Sequence, residues 1–123
     1  MGSLRVVLVE DHTLMRAGIR ALLQLLPDVE VVGEADNGPD AISLVSTTRP
    51  DLMLLDITLP GITGRDVFDE LSRIRPDVKV ILCTAYSQET ATAEFGERKI
   101  SGFIRKPYRT DDLVKLLDEC AEV

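Results

Sequence analysis

Asp51-Leu52-Met53-Leu54-Leu55-Asp56 (DLMLLD, residues 51–56) is the stretch on which the fold turns. Four consecutive apolar residues between two aspartates leave the segment no polar face. A strand of this kind is covered on both sides, as in the middle of a parallel sheet. Outward from it, apolar patterns alternate in period. Residues 4–9 (LRVVLV), 29–35 (VEVVGEA), 78–83 (VKVILC) and 102–105 (GFIR) read as strands. Residues 12–26 carry Met15, Ile19, Leu22, Leu23 and Leu26 at helical spacing, and Pro27-Asp28 ends that helix. Asn37-Gly38-Pro39 reads as a turn before a helix over 40–48, and Leu59 to Gly64 as a loop rich in turn residues. Further helices are predicted over 65–74, over 87–97, and from Thr110 as a cap to about residue 121, with Leu113, Leu116, Leu117 and Cys120 on one face. Strands alternating with helices imply a doubly wound α/β domain with a parallel sheet and right-handed crossovers.

Composition sets the outer limits. The chain has 123 residues, enough for one domain. It is 45% hydrophobic and 28% charged, a balance that supports a packed core and argues against disorder. Met1-Gly2-Ser3 reads as an initiator with a cloning scar. No apolar run has the length of a membrane span, and the start lacks a signal-peptide pattern, so a soluble cytoplasmic domain without membrane association is expected. The net charge of −7 disfavours direct binding to a phosphate backbone and suits a basic partner or a divalent cation. Cys83 and Cys120 lack metal-ligand spacing and read as reduced core thiols.

In open parallel sheets the functional crevice lies beyond the carboxyl ends of the strands. There the sequence places Glu10-Asp11 after the first strand, Asp56 at the end of the third, Thr84-Ala85 after the fourth and Lys106-Pro107 after the fifth. Taken singly, Asp11 reads as a helix cap, Thr84 as a residue of high strand propensity and Lys106 as solvated surface. Together they assemble three carboxylates, a hydroxyl and an ammonium on one edge. Packed carboxylates repel one another, and a hard cation such as Mg²⁺ relieves the repulsion while keeping sites for waters and a phosphate. An aspartate beside such a cation is a nucleophile for phosphorus, and Lys106 can neutralise charge on the group in transit.

At these residues the chain resembles the receiver domain of two-component response regulators. The resemblance rests on Glu10-Asp11, the DITLPGITG stretch from Asp56 to Gly64, Thr84-Ala85 and Lys106-Pro107, in that order, and it covers 4–121. It implies a flavodoxin-like, five-stranded sheet in the order 2-1-3-4-5. It implies Asp56 as phosphoacceptor, Asp11 as a direct Mg²⁺ ligand and Glu10 as one through water, and a further ligand in the backbone carbonyl of Thr58. Lys106 is implied to meet the phosphoryl oxygens and to precede a cis Pro107, with Thr84 and Phe103 as the switch pair. Thr58 and Tyr86 occupy the positions that tune water access, with Tyr86 expected to shield the acyl phosphate. His12 reads as a surface residue at a helix start.

The implied donors are a histidine kinase or a histidine-phosphotransfer protein. The implied output face is the helix over 87–97 with the fifth strand and the last helix, through which a homodimer is plausible. Composition makes the 87–97 helix loosely held, since Phe95 is its one strongly apolar residue and Gly96 weakens its end. The first half of the chain is similar to receivers of helix-turn-helix regulators and the second half to receivers of hybrid kinases. A chimera or family drift would each explain this, and a hybrid-kinase or stand-alone context is preferred.

Three rival readings are weaker. A small-molecule phosphatase acting through Asp56 would place a second acid where Thr58 stands. A nucleotide-binding domain would need a glycine-rich loop after the first strand. A purely structural domain would not need the acids and Lys106. A receiver, by contrast, is not an enzyme in the ordinary sense: it modifies itself and hydrolyses slowly.

Overall fold

The computed structural model describes residues 4–56, 64–84, 100–105 and 110–121, together with Ala93, Phe95 and Gly96. In chain order the elements are β1 (Leu4–Val9), α1 (Thr13–Gln24), β2 (Val29–Ala35), α2 (Gly38–Thr48), β3 (Leu52–Asp56), α3 (Gly64–Ile74), β4 (Lys79–Thr84), β5 (Gly102–Arg105) and α4 (Thr110–Ala121). The strands form one sheet in the order β2-β1-β3-β4-β5, with every neighbouring pair parallel. The predicted α/β class and the 2-1-3-4-5 order are therefore the observed ones.

Alternation along the strands divides the core in two. Val7, Val9, Met53, Leu55, Val80 and Leu82 face α2 and α3, where they meet Ala41, Val45, Val67, Phe68 and Leu71. Val6, Leu8, Leu52, Leu54, Ile81, Cys83 and Ile104 face the opposite way, onto Ile19 and Leu23 of α1 and Leu113 and Leu117 of α4. All of β3 is buried, which is why its sequence shows no polar face. Cys83 is buried and not in a disulfide, as expected; the side chain of Cys120 lies outside the described residues.

Several boundaries differ from the sequence reading, each for a local reason. Asn37-Gly38-Pro39 is not a free turn but the start of α2. The Asn37 side chain accepts a hydrogen bond from the Asp40 amide at 2.9 Å, and Pro39 stands in the first turn, where no amide donor is needed. Helix α1 closes at Gln24 because the Leu25 and Leu26 amides turn back onto the carbonyls of Leu22 and Leu23, at 3.2 and 3.1 Å. Strand β4 begins at Lys79 because the Val78 amide is spent on the Arg75 carbonyl. At the sheet edge, the β1–β2 register jumps from Val6↔Val31 to Val7↔Gly33, a bulge at Val32. A Cβ on Gly33 would come within 3.0 Å of Leu44 Cδ2, so the missing side chain lets α2 lie close on this edge.

Of the 87–97 segment, Phe95 is described and is 1% exposed, packed edge-on against Phe68 with ring centroids 6.0 Å apart. The rest of the predicted helix, apart from Ala93 and Gly96, lies outside the described residues. Among the described residues no helix is long and apolar enough to cross a membrane.

Candidate functional site

The site forms where β1 and β3 run out side by side. Val9 and Leu55 are register partners, so the next residues, Glu10 and Asp56, emerge together. Both continue the face that carries Val6, Leu8, Leu52 and Leu54, which is the side of α1 and α4. Glu10 is 1% exposed and Asp56 6%, an unusual burial for carboxylates. Asp11 and His12 complete the turn into α1. One ligand atom from each of Glu10, Asp11, His12 and Asp56 lies within 4.8 Å of the others.

The acid pair is held by its backbone. The Glu10 amide donates to the Ala35 carbonyl at 3.0 Å, and Arg16 Nη1 donates to the Glu10 carbonyl at 2.9 Å. The same Arg16 guanidinium stands 3.3 Å from Glu34 on β2, and Arg20 of the next turn reaches Glu34 at 3.0 Å. Thus α1, β1 and β2 are tied together directly beneath the carboxylates. The Asp11 amide donates to Glu10 Oε2 at 3.1 Å, which turns Asp11 back over the site. Asp11 Oδ1 is buried and, among the described residues, accepts no hydrogen bond. A buried acceptor of this kind needs a partner. Hard carboxylate oxygens with an orphaned member are the donor set that Mg²⁺ takes, so the residues fit such an ion.

Of the other predicted site residues, Thr84 is the last residue of β4, with its backbone in register with Arg105, and its side chain is outside the described residues. Phe103 lies on β5 beside Leu82 and packs, partly buried, against the α2–α3 side of the core. Thr58, Tyr86, Lys106 and Pro107 lie outside the described residues. The structure brings together Glu10, Asp11 and Asp56, with His12 and Arg16 beside them. His12 is, as expected, an exposed residue at a helix start, and its ring stands beside the acids. Arg16 was not singled out in the sequence; its proximity to the acid pair, one turn beyond His12, was the available signal.

The family model for the response regulator receiver domain matches residues 6–118. The nitrate/nitrite response regulator protein NarL of Escherichia coli K12 is 32% identical over 116 residues, covering 94% of this chain and 54% of that protein. The transcriptional regulatory protein DegU of Brevibacillus brevis is 29% identical over 120 residues, covering 98% of this chain and 51% of that one. Among solved structures, the signal receiver domain of a response regulator NarL from Mycobacterium tuberculosis superposes with a TM-score of 0.90 at 32% identity, covering 99% of this chain and 98% of that chain. The chain thus spans about half the length of these curated relatives.

Proposed function

Since the chain belongs to the response-regulator receiver family, a family of phosphoacceptor signalling domains rather than ordinary enzymes, we propose that residues 4–121 act as one receiver whose phosphoacceptor is Asp56. The observation that carries this reading is the convergence of Glu10, Asp11 and Asp56, with a buried oxygen on Asp11 that accepts no hydrogen bond among the described residues. In it, Glu10, Asp11, Asp56 and the carbonyl of Thr58 would hold Mg²⁺.

An Asp56 carboxylate oxygen forms a bond to phosphorus while the bond from phosphorus to the donor's imidazole nitrogen breaks. That nitrogen leaves with the electron pair. The donor is a histidine kinase or a histidine-phosphotransfer protein. A bound divalent cation supplies charge neutralisation at the phosphoryl oxygens. Lys106 supplies a second positive charge there. The burial of Asp56 keeps bulk water from its nucleophilic oxygen. The Thr84 hydroxyl then donates to the phosphoryl group, and Phe103, which has no hydroxyl of its own, moves inward by apolar burial alone. Tyr86 and Thr58 limit the access of water and set the lifetime. The chain catalyses only its own modification and its slow reversal. The signal leaves through the 87–97 segment, β5 and α4, where a second copy can pair.

Both curated relatives named above, NarL of Escherichia coli and DegU of Brevibacillus brevis, are regulators, and each match runs through both halves of this chain. That favours a regulator over a hybrid kinase as the parent protein, with a DNA-binding output supplied outside this acidic domain. A cytoplasmic location accords with both.

Intact mass after incubation with acetyl phosphate tests the core of this reading. One phosphoryl adduct is expected, requiring Mg²⁺ and lost in Asp56→Asn. No adduct under conditions that label a known receiver, or equal labelling of the Asn variant, would overturn it.

A further inference from the structure

His12 stands where a helix-capping side chain belongs, yet it makes no capping hydrogen bond. Its ring is 75% exposed and turned instead toward the acids, with Nδ1 3.3 Å from Asp11 Oδ1 and 3.9 Å from Glu10 Oε2. Asp11 Oδ1 accepts no hydrogen bond among the described residues although the ring nitrogen is so near, and the spacing of the two atoms is one that a shared ion would give. Two ligand atoms about 2.1 Å from one ion, at an angle of about 90–110°, stand about 3.0–3.4 Å apart. The spacing of 3.3 Å between His12 Nδ1 and Asp11 Oδ1 falls in that interval.

We propose that His12 is a metal ligand of this pocket, its Nδ1 joining the carboxylates of Glu10, Asp11 and Asp56 in a mixed nitrogen–oxygen site. The inference rests on the reading of the pocket as the receiver's metal site. Its consequence is a change in metal preference. Carboxylates alone favour hard ions such as Mg²⁺, whereas an imidazole adds affinity for borderline first-row transition ions and little for Mg²⁺. The site therefore takes Mn²⁺ or Co²⁺ more tightly than its oxygens alone would. The exposure of the ring is compatible with this, since these ions keep water on their open positions.

Mn²⁺ is the probe. Its free-ion paramagnetic resonance signal counts bound ions, and electron spin-echo modulation reports an imidazole nitrogen bonded to the ion. The chain has one histidine, so in untagged protein such modulation has one source. Wild type is expected to bind Mn²⁺ with imidazole modulation. In His12→Gln the modulation disappears and Mn²⁺ affinity falls on the order of tenfold, at least the loss that follows removal of an outer-shell partner. The affinity for Co²⁺, read from competition with Mn²⁺, weakens in the same variant, while the affinity for Mg²⁺ changes by less than about twofold, so Mg²⁺ displaces Mn²⁺ more readily than from wild type. Mn²⁺ that binds wild type without imidazole modulation, and that is weakened by Asp56→Asn, would overturn the ligand role of His12 and leave the acidic metal site intact. Mn²⁺ binding that is absent, or indifferent to Asp56→Asn, would overturn the metal site itself and this inference with it.

Discussion

At the scale of single residues, two groups near the acid pair do different jobs. Asp11 brings a buried oxygen with no hydrogen-bond partner among the described residues, a cost that a cation removes. Asp11→Asn should therefore lose most of the stabilisation that Mg²⁺ gives wild type. That gain is about 2.7 kcal/mol at a free concentration one hundred times Kd. Thermal unfolding with and without Mg²⁺ checks this; an equal Mg²⁺ shift in the two proteins would rule out Asp11 as a ligand. Arg16 positions the pair without touching the ion, through the Glu10 carbonyl and Glu34. Its guanidinium is largely buried, so Arg16→Gln should cost about 1–2 kcal/mol in urea unfolding. It should also weaken Mg²⁺ binding severalfold, since the Glu10 backbone loses its tether. Unchanged metal affinity in a destabilised Arg16→Gln protein would reduce Arg16 to a purely structural role.

At the scale of elements, the caps of α2 show how local chemistry sets boundaries. Asn37→Ala should cost about 1 kcal/mol, and Asn37→Gly only a few tenths, because glycine keeps the extended cap geometry open to water. The other end is strained: Arg49 has φ 50° and ψ 63°, a left-handed conformation that L side chains avoid. Arg49→Gly should therefore stabilise the domain by about 0.5 kcal/mol, the relief of strain being partly offset by the entropy of glycine in the unfolded chain. Denaturant midpoints measure both effects, and a destabilised Arg49→Gly would contradict the strain argument. The 87–97 segment was read as loosely held because Phe95 is its one strongly apolar side chain. That side chain is buried against Phe68, a tie of this segment to α3.

At the scale of the whole molecule, β3 is the axis. Leu52, Met53, Leu54 and Leu55 are each 0% exposed, and the two faces of this strand belong to the two halves of the core. Leu54→Ala should cost about 2–5 kcal/mol, a large share of the stability of a domain this size. Because Asp56 is carried on the same strand, the variant should bind Mg²⁺ more weakly even where it remains folded. Calorimetry on the folded fraction separates the two effects, and undiminished Mg²⁺ affinity there would mean that the site is held from β1 alone.

The sequence by itself determined the class of the fold, the run of strands and helices and the residues at the strand ends. Those depend on period and on local turn chemistry, which neighbours in the chain report. DLMLLD announced a strand buried on both faces because burial acts on each residue separately. The acid pair and Asp56 were legible because strand ends in a parallel sheet all face one edge. Tertiary structure alone decided what stands around them. Asn37-Gly38-Pro39 has the composition of a turn, and only the path of the chain makes it a cap. His12 and Arg16 are ordinary polar residues of a helix start, and nothing in their spacing says which way a ring or a guanidinium points. That direction is set by the angle at which α1 packs on β1 and β2, by contacts between residues far apart in sequence such as Arg16 and Glu34. A single chain carries no local signal of such a contact, because its energy arises only when both ends are in place.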